Sequence, residues 1–313
     1  MKTGFFAIGL AEWRQACEIG LNPAVAFLVL ACGTGRDNQT TAWSANAVQD
    51  YGGIRWERAK PAIDQLINAG LVRLADGSTK TRPRYKLSIS EDKIWLPKNV
   101  VMPLAGEEPV VHRLRQVQDV MVLRLFVELY HAQNLAADGG ISRSVYYKKY
   151  DKTVCRDVAN MVYLGFDDAN AYVSWSTPVT TVHQGKTKED RATAFFQRMD
   201  TLIEMGLIQE ATYLFESSSN EAEILFPLDG PEPEERGLWA AASEVVEANL
   251  QGGSALLDRH SYVVPVYRHQ KSAELYGIAR MRFRAQTANT GAWYAGLKDR
   301  AEAAKVMFRK AAL

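Results

Sequence analysis

The chain has 313 residues, 47% of them hydrophobic, with 37 Lys and Arg against 36 Asp and Glu. That is enough apolar content for a sizeable core and points to two or three domains rather than one. Cys17, Cys32 and Cys155 are odd in number and form no CxxC or Cys/His spacing, which argues against zinc and for a reducing compartment. No apolar run approaches transmembrane length and the N-terminus does not read as a signal peptide, so a cytoplasmic protein is expected.

The near-neutral total hides segregated charge. From Ile54 to Lys86 eight basic residues face three acidic ones, a net +5. From Glu216 to Glu247 nine acids face one Arg, a net −8, and from Arg259 onward eleven basic residues face three acids, a net +8. Basic blocks of this kind suit a polyanion partner.

In chain order, a helix is expected from Asn22 to Ala31, with Pro23 at its first position and Gly33 past its end. After the polar loop "GTGRDNQTT", Ser44 reads as the N-cap of a short helix, "ANAVQDY", that stops at Gly52 and Gly53. The stretch "IRWERAKPAIDQLINAGLV" (54–72) repeats Ala59, Ile63, Leu66, Ile67 and Gly70 at steps of three and four, the spacing of one buried helical stripe. Arg55, Trp56, Arg58 and Lys60 fall mostly off that stripe. Pro61 removes a backbone donor, so a late start or a kink is expected there. "LVRLADGSTKTRPRYKLSIS" then reads as a hairpin, with a turn at Asp76 and Gly77 and a basic tip carrying Lys80, Arg82 and Arg84.

Trp95 to Pro109 is Pro-rich and reads as a link between modules, followed by a helix from Arg113 to Gln133. An irregular region and a strand-like piece, "AYVSWSTPVTTVH", lead to "RATAFFQRMDTLIEMGLIQEATYLFE". Here "RMDTLIEMGLIQ" matches "AIDQLINAGLVR" at a constant offset of 136 residues, Gly206 falling on Gly70 and Leu202 on Leu66. The repeat, with the hairpin "EATYLFESSSNEAEILFPL" after it, predicts a second copy of the first module, enlarged by an insertion between about Asp138 and His183. "DGPEPEER" reads as a linker. Beyond it come a helix near Leu238 to Leu250, strands "SYVVPVYR" and "GIARMRFRA", and a helix from about Ala292 to Ala312. The second strand alternates Arg280, Arg282 and Arg284 with apolar residues, which predicts a guanidinium row on one face. That row either tracks a phosphate backbone or pairs with Glu232, Glu234 and Glu235.

Positions 22–90 resemble a winged helix-turn-helix of the broad GntR/MarR-like kind, and two such modules in one chain are similar in layout to plasmid replication initiators of the tandem type. The resemblance implies that Ser44 opens the supporting helix and that Arg55 to Lys60 face the major groove. It also implies that Lys80, Arg82 and Arg84 form a wing near the backbone or minor groove. Arg can contact guanine through its fork, and Lys can neutralise phosphate. In the second copy Arg191, Ala192, Ala194 and Phe196 occupy the equivalent positions, which predicts a structural or dimerising role.

Catalytic signatures are weak. "GTGRDNQTT" lacks the GxxxxGK[ST] of a P-loop, and His112, His131, His183, His260 and His269 have no metal spacing. Asp167-Asp168 reads as a turn. "YYKKY" (146–150) mixes stacking and basic groups but reads equally as the face of a small helix. The expectation is an α+β, mainly α protein with tandem winged helix-turn-helix domains (1–95 and 110–228) and a C-terminal basic α/β domain (237–313). It would be a non-enzymatic homodimer without cofactor or metal that binds double-stranded DNA as a transcriptional regulator. The alternatives are a replication initiator of a plasmid or mobile element and a protein-interaction scaffold.

Overall fold

The computed structural model of the chain describes residues 4–103, 106–174, 177–181, 187–284 and 287–311. The elements begin with β1 (Phe5–Gly9), α1 (Leu10–Ile19), α2 (Leu21–Cys32), β2 (Thr40–Thr41), α3 (Ala45–Gly52) and α4 (Trp56–Asn68). There follow β3 (Val72–Leu74), β4 (Tyr85–Leu87), β5 (Lys93–Pro97), α5 (Val110–Gln116), α6 (Val120–His131), β6 (Gln133–Asn134) and β7 (Gly140–Ile141). Next are β8 (Tyr146–Val158), β9 (Met161–Ser174), α7 (Pro178–Thr181), α8 (Lys188–Glu204), β10 (Ile208–Phe215) and β11 (Ile224–Asp229). The last are α9 (Leu238–Asn249), α10 (Gly253–Arg259), β12 (Tyr262–Tyr267), β13 (Glu274–Met281) and α11 (Ala288–Ala311). They sort into two compact units, the first made of Met1–His131, His183–Leu207 and Phe283–Gln286, the second of Ala132–Val182, Ile208–Arg282 and Thr287–Leu313.

In the first unit α2 is buried along its whole length from Pro23 to Cys32, because nearly every residue in it is apolar. It is the post against which α1, α3 and α4 pack. α4 turns Ala59, Ala62, Ile63 and Leu66 inward. Burying Ile63 and Leu66 contributes about 1.5–3 kcal/mol each. The strands β2, β4 and β3 form a three-stranded antiparallel sheet in that spatial order, Arg73 lying opposite Lys86 and Leu74 opposite Tyr85. The helix, short helix, turn, longer helix, hairpin order read from residues 22–90 is present, and the stretch read as a polar loop ends in the strand β2. Trp95 does not open a linker: β5 pairs antiparallel with β1, from Gly9 opposite Lys93 to Phe5 opposite Pro97. The single helix expected over 113–133 is broken, α5 and α6 being separated at Gln118, whose φ is +61°.

The second unit is built on six antiparallel strands in the order β11-β10-β13-β8-β9-β12. One face carries Val162, Leu164, Phe166, Leu214 and Leu275 against Leu238 and Val245 of α9 and Met307 and Phe308 of α11. The other face buries Tyr213, Phe215, Ile278 and, from α11, Trp293 and Leu297. This overturns the expectation of a mainly α fold with tandem winged helices and a separate basic C-terminal domain. Helix makes up 43% and strand 27%, and the large sheet is the reason. The hairpin expected to be a second wing is β10–β11, two strands of that sheet, and β12 and β13 belong to the same sheet. The "insertion" supplies β8 and β9, which pair from Tyr146 opposite Ser174 to Val158 opposite Met161. "YYKKY" is the start of β8, not a small helix. Of the strand expected over 171–183, residues 171–174 end β9 and Pro178–Thr181 are the helix α7, while 175–176 and 182–183 lie outside the described residues. Arg191, expected as the one basic residue of a second recognition helix, falls within α8, and its side chain lies outside what is described.

The 136-residue repeat is nonetheless real as local structure. Gly70 and Gly206 take φ of +74° and +66°, the left-handed conformation after a helix end. Leu71 N–H donates to Leu66 O and Gly70 N–H to Ile67 O, each at 3.0 Å. Leu207 N–H donates to Leu202 O at 3.0 Å and Gly206 N–H to Ile203 O at 2.8 Å. These paired bonds are the Schellman termination, with the leucine after each glycine apposed to the one five residues earlier. The recurring string therefore encodes one way of stopping a helix and not a duplicated domain. A Cβ added at Gly70 meets no atom within 4 Å, so its cost is backbone strain alone. Gly70→Ala is expected to lose about 1–2 kcal/mol in urea unfolding.

Candidate nucleic-acid interface

The turn between α3 and α4 is three residues long and fixed from several sides. Gly53 has φ +63°, and its N–H donates to Gln49 O at 3.1 Å. The Gln49 side chain accepts the Trp56 N–H at 3.1 Å, satisfying one of the free donors at the start of α4. Ile54 is wholly buried and anchors the turn. A Cβ on Gly53 would lie 2.1 Å from His112 Nε2, so no larger residue fits without displacing the His112 ring. The Gly53 carbonyl accepts from Arg115 Nη1 at 2.9 Å. Ser44 sits at the N-cap of α3 with extended backbone, half-buried, and its hydroxyl makes no capping bond.

From this turn α4 presents Arg55, Trp56, Glu57, Arg58 and Lys60 to solvent while Ala59 faces the core. Trp56 is 46% exposed, unusual for the largest apolar side chain on a first helical turn, and Lys60 Nζ lies 5.9 Å from its ring centroid. Pro61 does not stop the helix. It cannot donate to the Glu57 carbonyl one turn back, so that acceptor has no partner in the helical ladder.

The hairpin tip is braced by short polar side chains. Gly77 has φ +73° at the turn, Arg84 N–H donates to Ser78 Oγ at 2.9 Å, and Arg82 N–H donates to Thr79 Oγ1 at 3.0 Å. Lys80, Arg82 and Arg84 are all exposed. Arg73 and Lys86, directly opposite across β3 and β4, repel one another.

The C-terminal guanidinium row does not form. β13 ends at Met281, so Arg282 and Arg284 lie beyond it, the first exposed and the second half-buried. Arg280 is 1% exposed. Its Nη1 donates to Glu235 Oε1 at 2.5 Å and to Tyr213 Oη at 2.9 Å, while Tyr213 Oη donates to the same Glu235 oxygen at 2.9 Å. Its Nη2 reaches Glu232 Oε1 at 3.4 Å, and its guanidinium lies 5.0 Å from the Trp293 ring. Burial pushes the Glu235 carboxyl up, against the pull of Arg280. Of the two expectations for Arg280 the pairing with Glu232 and Glu235 is the one formed, and "DGPEPEER" is a folded turn carrying a wholly buried carboxylate instead of a linker.

"YYKKY" is no open stacking platform either. Tyr146 and Tyr150 are buried, and Lys148 is neutralised by Asp168 at 2.7 Å. Asp167 and Asp168 lie within β9, the former on His260 Nδ1 at 2.9 Å. Among the described residues no group of three His, Cys, Asp or Glu side chains is placed to hold a metal ion, and no helix is long and apolar enough to cross a membrane. His183 lies outside the described residues.

The residue that the sequence did not single out is Arg115. It fell within the helix expected over 113–133 without being given a role, yet it lines one cleft with Arg55, Glu57 and Arg58. Its proximity to the turn depends on α5 packing across 62 residues of chain, a pairing with no local signal.

No family model, curated protein or solved structure matches this chain. The reading of the interface rests on its own geometry.

Removing one partner of a buried ion pair typically costs about 3–5 kcal/mol. Arg280→Ala is expected to lose that much in urea unfolding, and the exposed Arg282→Ala less than about 0.5 kcal/mol. Equal effects would show that Arg280 is not part of a buried pair.

Proposed function

We propose that the protein is a sequence-specific double-stranded DNA-binding protein, acting as a cytoplasmic transcriptional regulator through residues 22–90. Arg55, Trp56 and Arg58 at the start of α4 read base edges in the major groove. Lys60 and the hairpin residues Lys80, Arg82 and Arg84 hold phosphates. One observation carries this reading: all seven of these side chains are exposed, four at the start of a helix whose opposite stripe is buried and three on the tip of the hairpin that follows it. A guanidinium fork matches the two acceptors on a guanine edge, and a helix is the element that fits the major groove. An exposed Trp between two arginines adds a flat apolar surface for a base or a thymine methyl.

The basic set supports DNA over a protein partner, because Arg55, Arg58, Lys60, Lys80, Arg82 and Arg84 give the helix start and the hairpin tip a positive charge that suits a polyanion. The replication-initiator alternative drew its support from two winged helices in one chain, and the second copy is instead a helix end leading into the large sheet.

Duplex affinity is expected to fall steeply with salt, since each neutralised phosphate contributes about 0.9 to the log–log slope. Arg55→Ala combined with Arg58→Ala is expected to lose about 1–3 kcal/mol of base discrimination per contact. Its preference for a footprinted site over scrambled duplex should therefore collapse, while general affinity weakens less. Replacing Lys80, Arg82 and Arg84 together by Ala should weaken all duplexes alike and flatten the slope by about 2–3. A double variant that keeps the full preference, or binding indifferent to salt, sinks the proposal.

A further inference from the structure

The cleft beside the α3–α4 turn has a volume of about 710 Å³ and is lined by Gly53, Arg55, Glu57, Arg58 and Arg115. Three guanidinium groups meet one carboxylate there. Among the described residues none of the three makes an ion pair: Arg115 is held by two neutral acceptors, Gly53 O at 2.9 Å through Nη1 and Asn22 Oδ1 at 3.3 Å through Nε. Its Nη2 has no partner among the described residues. Burial and, after it, the charge of Arg58 depress the Arg115 pKa, so its charge is less well accommodated there than in water while the guanidinium stays protonated. Uncompensated like charges around one concavity are destabilising unless an anion enters between them.

We infer that this cleft seats one backbone phosphate of bound duplex DNA, gripped by Arg115 from α5 while Arg55 and Arg58 extend to the bases. The inference rests on the DNA-binding reading above. It adds a contact from outside the helix pair and the hairpin, and it gives that contact a positioning role. The guanidinium that holds the phosphate also holds the Gly53 carbonyl, the residue at which the chain turns into α4. One group thus ties the register of the DNA backbone to the placement of the reading helix. Arginine suits this because its planar fork can serve the carbonyl on one edge and a phosphate on another.

The test measures affinity across a KCl series for a footprinted duplex and a scrambled one, using the full chain, Arg115→Gln and Asn22→Ala. Arg115→Gln is expected to weaken both duplexes by about tenfold, the value of one charge-assisted hydrogen bond. Its salt slope should flatten by about 0.9, with the preference ratio unchanged. Asn22→Ala loosens the same brace without altering charge and should keep the wild-type slope. A wild-type slope in Arg115→Gln overturns the inference while leaving the DNA-binding reading standing. So does a loss confined to the footprinted duplex, or a flattened slope in Asn22→Ala, either of which would mean that Arg115 only shapes the turn. A wild-type chain with no salt-dependent duplex affinity overturns the reading and the inference together.

Discussion

Gly53 takes a left-handed conformation, and its missing side chain is what lets the imidazole of His112 close against the turn. The candidate contacts at the start of α4 follow from this constraint. The turn sets the angle at which α4 leaves α3. The angle in turn decides which stripe of α4 meets α2 and which stripe is left over. Ala59, Ala62, Ile63 and Leu66 take the inner positions, and the helical period then leaves Arg55, Trp56, Arg58 and Lys60 no place but the outside. The exposure of a large indole is thus a consequence of where the core stripe falls. Trp56 could be buried only by rotating α4, which would bring charged side chains inward at a cost of several kcal/mol each.

The second unit depends on a different compromise. Arg280 and Glu235 sit together in the packed region between the sheet and α11, where neither charge is tolerable alone. Tyr213, Glu232 and Tyr294 take further bonds from the guanidinium, whose buried Nε has no partner among the described residues, and Glu232 and Glu235 are carried by the turn after β11. A Cβ on Gly230 would lie 2.2 Å from Glu235 Oε2, so the chain passes close to its own buried carboxylate there. The acidic stretch read from the sequence is therefore partly interior. Glu232 and Glu235 are used within the unit, whereas Glu216, Glu221, Glu223, Asp229, Glu244 and Glu247 remain exposed.

The same contrast explains how much could be read from the sequence. α2, α3, α4, the β3–β4 hairpin, α9 and β12 were legible because each is specified locally, by period, caps and turn residues within a dozen positions. The six-stranded sheet was not. β10 pairs with β13 across about seventy residues, Gln209 lying opposite Arg280, and no local pattern names a partner at that distance. The repeat misled for a related reason. "LINAGLV" and "LIEMGLI" are alike because the Schellman ending demands the same residues wherever it occurs, with an apolar residue, a left-handed glycine and a second apolar residue in fixed places. Similarity over a helix end carries information about the end and none about the strand that follows. Among the site residues, charge alternation identified Arg280 as notable but could not tell a surface row from a buried pair. The exposure of Arg55, Trp56, Arg58 and Lys60 was legible because they fall off the apolar stripe of the helix, and that of Lys80, Arg82 and Arg84 because they follow the turn at Asp76 and Gly77.

Pro61 stands at the junction of these two readings of α4. An interior proline costs a helix about 3 kcal/mol when the lost bond is not compensated. Here it lies on the exposed side, directly after the Arg55–Lys60 segment, and the helix continues through it to Asn68. The apolar stripe on the inner face can carry that cost because Ile63 and Leu66 lie after the proline and fix the C-terminal half to the core. The first turn is then held less by its own ladder than by groups outside the helix: the Gln49 side chain on the Trp56 amide, the buried Ile54, and Arg115 on the Gly53 carbonyl. A helix whose first turn is positioned from outside keeps its contact residues in place even though the ladder behind them is interrupted. The proline thus separates a turn placed by α3 and α5 from a body placed by α2.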